Sequence, residues 1–285
     1  MGLPSMIPSS ERGTVLDWAR TAEESGFSTL AVLDRLVHDC WEPLVTLSAA
    51  AAVTNRIKLL SSVLIAPYRG DVAVLAKQTA TIALLSGGRL TLGMASGFRA
   101  DDYAMAGTNF HDRGRRLTAL ADELTAYWSG NRPLSGERVG PKVAPKLAFG
   151  GQSEPAIRRA GRHGTAWIAG GSSPVPYETT LEKARSVWER DGVAEPRKIA
   201  LTYFALGPDA AEHARSYLSR YYAFLGDEFA SMIVEKALIT PDSVESTVER
   251  YREAGCDELV FFPCSNDLDQ VTALADVVER TRAAV

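Results

Sequence analysis

The chain has only three cysteines in 285 residues, Cys40, Cys256 and Cys264, and their odd number and irregular spacing suggest neither a disulfide framework nor a zinc site. A reducing cytoplasm fits. Histidine is scarce too, with four, and no Ser-His-Asp or Cys-His arrangement follows from the spacing, so covalent hydrolytic chemistry has no support. No apolar run reaches the roughly 18 residues of a membrane-spanning helix, and the first thirty residues lack the basic, apolar, small-residue order of a secretion signal. Neither sign of charge dominates. A net charge of -4, with lysine and arginine scattered, leaves no footprint for nucleic acid or an anionic membrane. Small-molecule partners are what this leaves.

What the chain does hold is core-forming material: 46% of its residues are hydrophobic and 23% charged, the balance of a globular protein with a large interior. No linker or shift of composition divides it, so residues 1–285 read as one domain.

Residues 85–103 carry the most information. Ser86-Gly87-Gly88 closes a helix expected over 71–85, because glycine at a helix end adopts the left-handed conformation without a Cβ penalty. Residues 89–94 have the length and branching of a buried strand, and 95–103 are too polar and glycine-broken to continue it. The same order of helix, glycine and strand recurs at Gly26, Gly164 and Gly255, leading into strands at 28–33, 165–169 and 257–262. Four such junctions argue for parallel strands alternating with helices. Further strands are expected at 57–65, 146–149 and 198–205, with a short first one at 2–6, which makes eight.

Eight parallel strands in a chain of this length fit a closed (β/α)₈ TIM barrel, whose usual size is about 250 residues. An open doubly wound sheet would show a glycine-rich phosphate fingerprint at its first strand-to-helix turn, and residues 2–8 contain none. The segments 44–53 and 72–85 are apolar around much of a helix circumference, more than one barrel wall demands. A homodimer interface would account for the excess, and so would internal packing.

In a barrel the carboxyl ends of the strands and the loops after them form the active face. The second strand ends at Asp34-Arg35, the third within 61–67, the fourth at Ser96-Gly97-Phe98 and the fifth at Gly150-Gly151-Gln152-Ser153. The last of these precedes a helix over 154–162, and backbone N–H groups at a glycine-rich helix start can approach an anion closely, although an ordinary capped loop reads the same way. Asp34-Arg35 is either an ion pair facing a ligand or a salt bridge at the rim. Asp101 and Asp102 are either an acid or base or the dipole partners of a helix start. His38 and His111 lie in loops after strands, while His163 and His213 sit on helices. With no evident nucleophile, a bound cofactor is expected to supply the reactivity.

Residues 18–27, Glu42-Pro43-Leu44, 55–59, Ala76-Lys77-Gln78, 85–90, 110–117 and Gly150-Gly151-Gln152-Ser153 follow one another in an order that resembles the bacterial luciferase-like flavin-dependent oxidoreductases. The match covers most of 14–170 and, more weakly, the final strand. The resemblance implies a barrel that binds reduced FMN, or in a sister branch the deazaflavin coenzyme F-420, at its carboxyl face. It places a non-prolyl cis peptide at Ser62-Val63 behind the isoalloxazine ring, Ser96, Gly97 and Phe98 beside the flavin, and Gly150, Gly151 and Ser153 near its phosphate and ribityl chain. With Asp34 and Arg35 these are the expected cofactor residues. Arg99, Asp102 and His111 are the residues expected to touch substrate or move protons.

In the oxygenase branch reduced flavin reacts with dioxygen while water is kept out, whereas in the deazaflavin branch hydride passes directly to or from substrate. Many deazaflavin members carry histidine where this chain has Arg35 and an acid where it has Phe98, which counts against the sugar-phosphate dehydrogenase type of mechanism. The segment 129–144 is short beside the insertion that follows the fourth helix in larger members. The expectation is a cytoplasmic, dimeric monooxygenase that uses reduced FMN from a partner flavin reductase on a small organic substrate. The alternatives are an F-420-dependent reductase or dehydrogenase, and a flavin-binding relative that no longer turns over.

Overall fold

A computed structural model describes residues 1–130, 143–171 and 175–283. The short segment expected at 129–144 lies almost wholly outside them. Strand parity builds the core. In β1 (Thr29–Val32), Leu30 and Val32 join the layer between sheet and helices, while Ala31, with Leu33 just beyond, joins the barrel interior. The same alternation holds in β6 (Ala166–Ile168), where Trp167 packs with the helices and Ala166 and Ile168 pack inside. Burial on both faces is why these strands read as near-continuous apolar runs.

The remaining strands are β2 (Lys58–Ser61), β3 (Leu64–Ile65), β4 (Leu90–Ala95), β5 (Lys146–Gly150), β7 (Arg197–Phe204) and β8 (Glu258–Pro263). All neighbours pair in parallel in the order β1-β2-β4-β5-β6-β7-β8, with β3 paired to β4. β2 and β3 are the two halves of the strand expected at 57–65, interrupted at Ser62-Val63. Residues 1–3 close the ring: Gly2 donates its N–H to the Phe261 carbonyl at 2.7 Å, and Leu3 donates to Ala31 at 2.8 Å. A side chain at Gly2 would strike the Phe262 ring, which lies 2.3 Å from the position of an added Cβ. This first stave is shorter than the 2–6 expected, because Pro4 has no N–H to give and accepts a turn bond from Ile7 instead.

The helices run as α1 (Arg12–Glu24), α2 (Pro43–Val53), α3 (Val72–Leu85), α4 (Ala100–Met105), α5 (Arg113–Trp128) and α6 (Glu154–His163). α7 (Tyr177–Asp191), α8 (Ala210–Tyr222), α9 (Asp227–Glu235), α10 (Pro241–Glu253) and α11 (Asp269–Ala283) follow. α3 begins where Asp71 accepts the N–H groups of Ala73 and Val74, and it ends where Gly88 donates to Ala83 at 2.7 Å. The amino-terminal end of the barrel is tied by two side chains. Glu23 accepts from the backbone N–H groups of Asn55, Arg56 and Ile57, and Arg89 donates to the carbonyls of Ala51, Thr54, Ile57 and Ser86.

Candidate active site

The carboxyl ends of the strands converge on a cavity of about 140 Å³. Leu33, Asp34 and Arg35 reach it from β1, Ser62 and Val63 from the break between β2 and β3, and Gly97, Phe98 and Arg99 from the loop after β4. Asp102 and Tyr103 enter from α4, Gly170 and Gly171 from the end of β6, and Leu201 and Tyr203 from β7. Tyr221, Tyr222 and Phe224 cover it from the end of α8. A second hollow of about 530 Å³ adjoins it, sharing Gly170, Gly171, Leu201 and Tyr203 and bordered farther out by Gln152, Lys236, Arg250 and Tyr251. A larger groove of about 680 Å³ lies at the opposite end of the barrel between Phe27 and α11, where no strand delivers its carboxyl end.

The backbone approaches itself closely around the cavity. The Ser62–Val63 bond is cis, as the resemblance implies. Gly150 is buried behind it, and a Cβ there would stand 2.8 Å from Val63 Cγ1. At Gly171 a Cβ would stand 2.4 Å from the Leu201 carbonyl oxygen, so only glycine lets β6 end this close to β7.

Both carboxylates in the wall are consumed by the fold. One oxygen of Asp34 accepts the Ile65 N–H at 2.7 Å and the other accepts Arg69 Nη2 at 2.6 Å; Arg69 also pairs with Glu42. Burial pushes the Asp34 carboxyl above its ordinary value against the pull of Arg69. Asp102 accepts the N–H groups of Leu36 and Val37 on one oxygen, at 3.0 and 2.9 Å, and Arg35 Nε on the other at 2.9 Å. Arg99 is held by Asp101 and lies 4.1 Å from the centre of the Phe224 ring, which also packs against Phe98. Beside this wall His38 is held below its usual pKa, first by burial and then by Arg35, Arg220 and Arg99.

Tyrosine supplies the hydroxyls. Tyr203 and Tyr222 share a hydrogen bond at 2.7 Å, and burial pushes the Tyr203 and Tyr221 hydroxyls upward, which keeps both neutral and makes them weaker acids.

Of the residues singled out in the sequence, Asp34, Arg35, Ser62, Val63, Gly97, Phe98, Arg99 and Asp102 meet at this cavity. Ser96, Gly150, Gly151, Ser153 and His111 do not line it. Ser96 offers its carbonyl to the Tyr103 hydroxyl at 2.6 Å, and Gly151 donates its N–H to Ile168. Ser153 is the exposed N-cap of α6 and makes no side-chain cap bond. His111 is exposed, packed edge-on against Phe110. Sequence reasoning missed Gly170, Gly171 and the tyrosines. A readable signal existed for the glycines, since they follow a strand directly, as Gly150 and Gly151 do.

A closed parallel barrel with its cavity at the strand carboxyl ends defines a class in which loops bring the chemistry to a common scaffold. The family model described as luciferase-like monooxygenase matches residues 4–258, and the chain belongs to that family of enzymes. A curated relative is the F-420-dependent glucose-6-phosphate dehydrogenase of Amycolatopsis mediterranei, 26% identical, the alignment covering 94% of each chain. Among solved structures, an F-420-dependent secondary alcohol dehydrogenase in complex with an F-420-acetone adduct superposes with a TM-score of 0.81 at 16% identity, covering 99% of this chain and 97% of the other. The oxygenating constituent of a 3,6-diketocamphane monooxygenase from Pseudomonas putida, in complex with FMN, gives 0.68 at 19% identity, covering 97% and 94%.

Proposed function

We propose that this enzyme is a monooxygenase that uses reduced FMN and dioxygen on a small organic substrate. The observation that carries the reading is the state of the two carboxylates in the wall. Asp34 and Asp102 have both oxygens engaged by backbone N–H groups and arginines, so neither stands ready to take a proton from an alcohol, as dehydrogenation by hydride transfer requires. What remains is an apolar, aromatic enclosure suited to excluding water.

The residues fit an isoalloxazine cofactor. Val63 and Leu201 offer apolar faces to a flat ring, Tyr203 and Tyr222 offer hydroxyls, and the glycine pair Gly170-Gly171 opens into the adjoining hollow, where Arg250 stands at the rim for an anionic tail. When bound, reduced flavin would supply the reactivity toward dioxygen that no side chain here possesses. The protein's own work would be to orient the substrate against the ring, keep bulk water out with Phe98 and Phe224, and offer hydrogen bonds from the Tyr203–Tyr222 pair. A separate flavin reductase would furnish the reduced cofactor.

A second reading, reduction with the deazaflavin, is favoured by the dehydrogenase relative that matches across 94% of the chain. The two readings part in one experiment. Purified protein is titrated with reduced FMN and with the reduced deazaflavin, and oxidation of each is followed with and without oxygen over a panel of small carbonyl, acid and aromatic compounds. FMN oxidation that depends on oxygen and yields an oxygenated product is the expected result. Turnover of the deazaflavin without oxygen, and none with FMN, would overturn it.

A further inference from the structure

On the carboxyl face of the barrel, a pocket of about 350 Å³ shares no residue with the cavity or with the hollow that adjoins it. His213, Ser216 and Arg220 line it from α8, at a spacing that sets them in one stripe of the helix. Ser9 and Ser265 line it from the loops after the first stave and after β8. One layer of rings separates it from the cavity. Tyr217, which lines the pocket, stacks on Tyr221, which lines the cavity, with ring centres 5.7 Å apart, and His38 meets the same Tyr221 ring edge-on at 5.4 Å.

The pocket gathers donors and gives them no acceptor. Arg220 makes no ion pair or hydrogen bond among the described residues, and no carboxylate among them lines the pocket. Ser9 Oγ accepts from Asn266 Nδ2 at 3.1 Å, and Ser265 Oγ accepts from the Asp267 N–H at 3.2 Å, so both hydroxyls keep their own proton for another partner. Ser265 is 7% exposed, and His213 Nδ1 is a buried atom without a partner among the described residues. Buried polar atoms in native proteins are nearly always paired, so an orphaned ring nitrogen, a spare buried hydroxyl and an unpaired guanidinium in one pocket mark a place where a ligand completes the bonding. Its charge follows from the field. Burial first, and then Arg35, Arg220 and Arg99, hold His38 below its usual pKa, and those three guanidiniums make the potential at this wall positive. A flat carboxylate is satisfied by one guanidinium fork, whereas separate donors on three segments suit a group with three acceptor oxygens.

We propose that this pocket is a second binding site, for a small phosphomonoester, with Arg220, His213, Ser9 and Ser265 around the phosphate and Tyr217 against the organic part. The occupant ties α8, whose last residues Tyr221 and Tyr222 cover the cavity, to the loops after the first stave and β8. The site is independent of which cofactor the cavity holds.

Calorimetric titration of the whole protein with phenyl phosphate and with phenol tests it. Phenyl phosphate is expected to bind about tenfold more tightly than phenol, the value of one charge-assisted bond. Arg220→Gln, at an exposed position, is expected to remove most of that preference, and Ser265→Ala to weaken phenyl phosphate about threefold. Arg250→Gln, at the rim of the hollow beside the cavity, is expected to change neither affinity. Hydrogen exchange read by mass spectrometry should slow in 7–9, 213–220 and 264–266 when phenyl phosphate is added. Equal affinity for the two probes overturns the proposal, as does a preference that survives Arg220→Gln. A preference that falls with Arg250→Gln instead, or that added FMN competes away, puts the anion in the hollow beside the cavity and overturns the second site. If Ser265→Ala does not fold, Arg220→Gln and the exchange pattern decide.

Discussion

Single residues brace this site more often than they furnish chemistry, and Asp102 shows why. It sits in the wall as a catalytic acid would, yet its bonds run to Arg35 and to the backbone after β1. Asp102→Asn keeps an acceptor but removes the counter-charge of a buried guanidinium, and we expect a loss of about 3 kcal/mol in urea unfolding, since breaking one partner of a buried pair strands the other. At the far end of the barrel Glu23 gives a cleaner test. Burial acts against its ionisation, but the N–H groups of Ile57, Arg56 and Asn55 prevail and hold its carboxyl below the ordinary 4.5. A depressed folded-state value means stability that is present above the unfolded value and is lost as pH falls through the folded one. Glu23→Gln should cost about 1 kcal/mol at pH 7, and its unfolding midpoint should converge on that of the wild type as the solution is acidified below pH 4.5. A gap that persists in acid would show that packing, not charge, is at stake.

At the scale of the element, capping and turn chemistry were readable because they are local. The helix expected at 71–85 appears as α3 with Asp71 as its cap and the Gly87-Gly88 turn as its end. Asp71→Ala should lower stability by about 1 kcal/mol, measured in thermal or denaturant unfolding, without disturbing the cavity. Strand ends were legible for the same reason, which is why Asp34, Arg35, Ser62, Val63 and Gly97 to Arg99, singled out there, share one cavity wall. Tyr203, Tyr221, Tyr222 and Phe224 were not singled out. Tyr203 stands near the carboxyl end of β7, inside the strand expected at 198–205, and was passed over there. Tyr221, Tyr222 and Phe224 depend on how α8 and the turn after it fold back over the mouth, a tertiary arrangement with no local signature. His111 is placed outside this cavity: its loop follows a strand in sequence, yet the turn after α4 leaves it exposed.

For the whole molecule, the excess apolar surface noted in the sequence lies on the outside of α2 and α3, where Val45, Val74, Leu84 and Leu85 are 67%, 55%, 58% and 58% exposed. We expect two copies to pair through this face. Sedimentation should show a dimer, and Val74→Asp combined with Leu85→Asp should give a folded monomer, because neither side chain supports the core of its own chain. A wild-type protein that sediments as a monomer would remove the expectation. Several of the residues that carry the family resemblance, Glu23, 55–57 and Arg89, knot the amino-terminal end of the barrel, while the cavity is built by side chains at the other end. Foldability and selectivity are thus written in separate alphabets. Phe98 or Phe224 can be exchanged and the scaffold retargeted to another compound, with no instruction for closing the barrel rewritten.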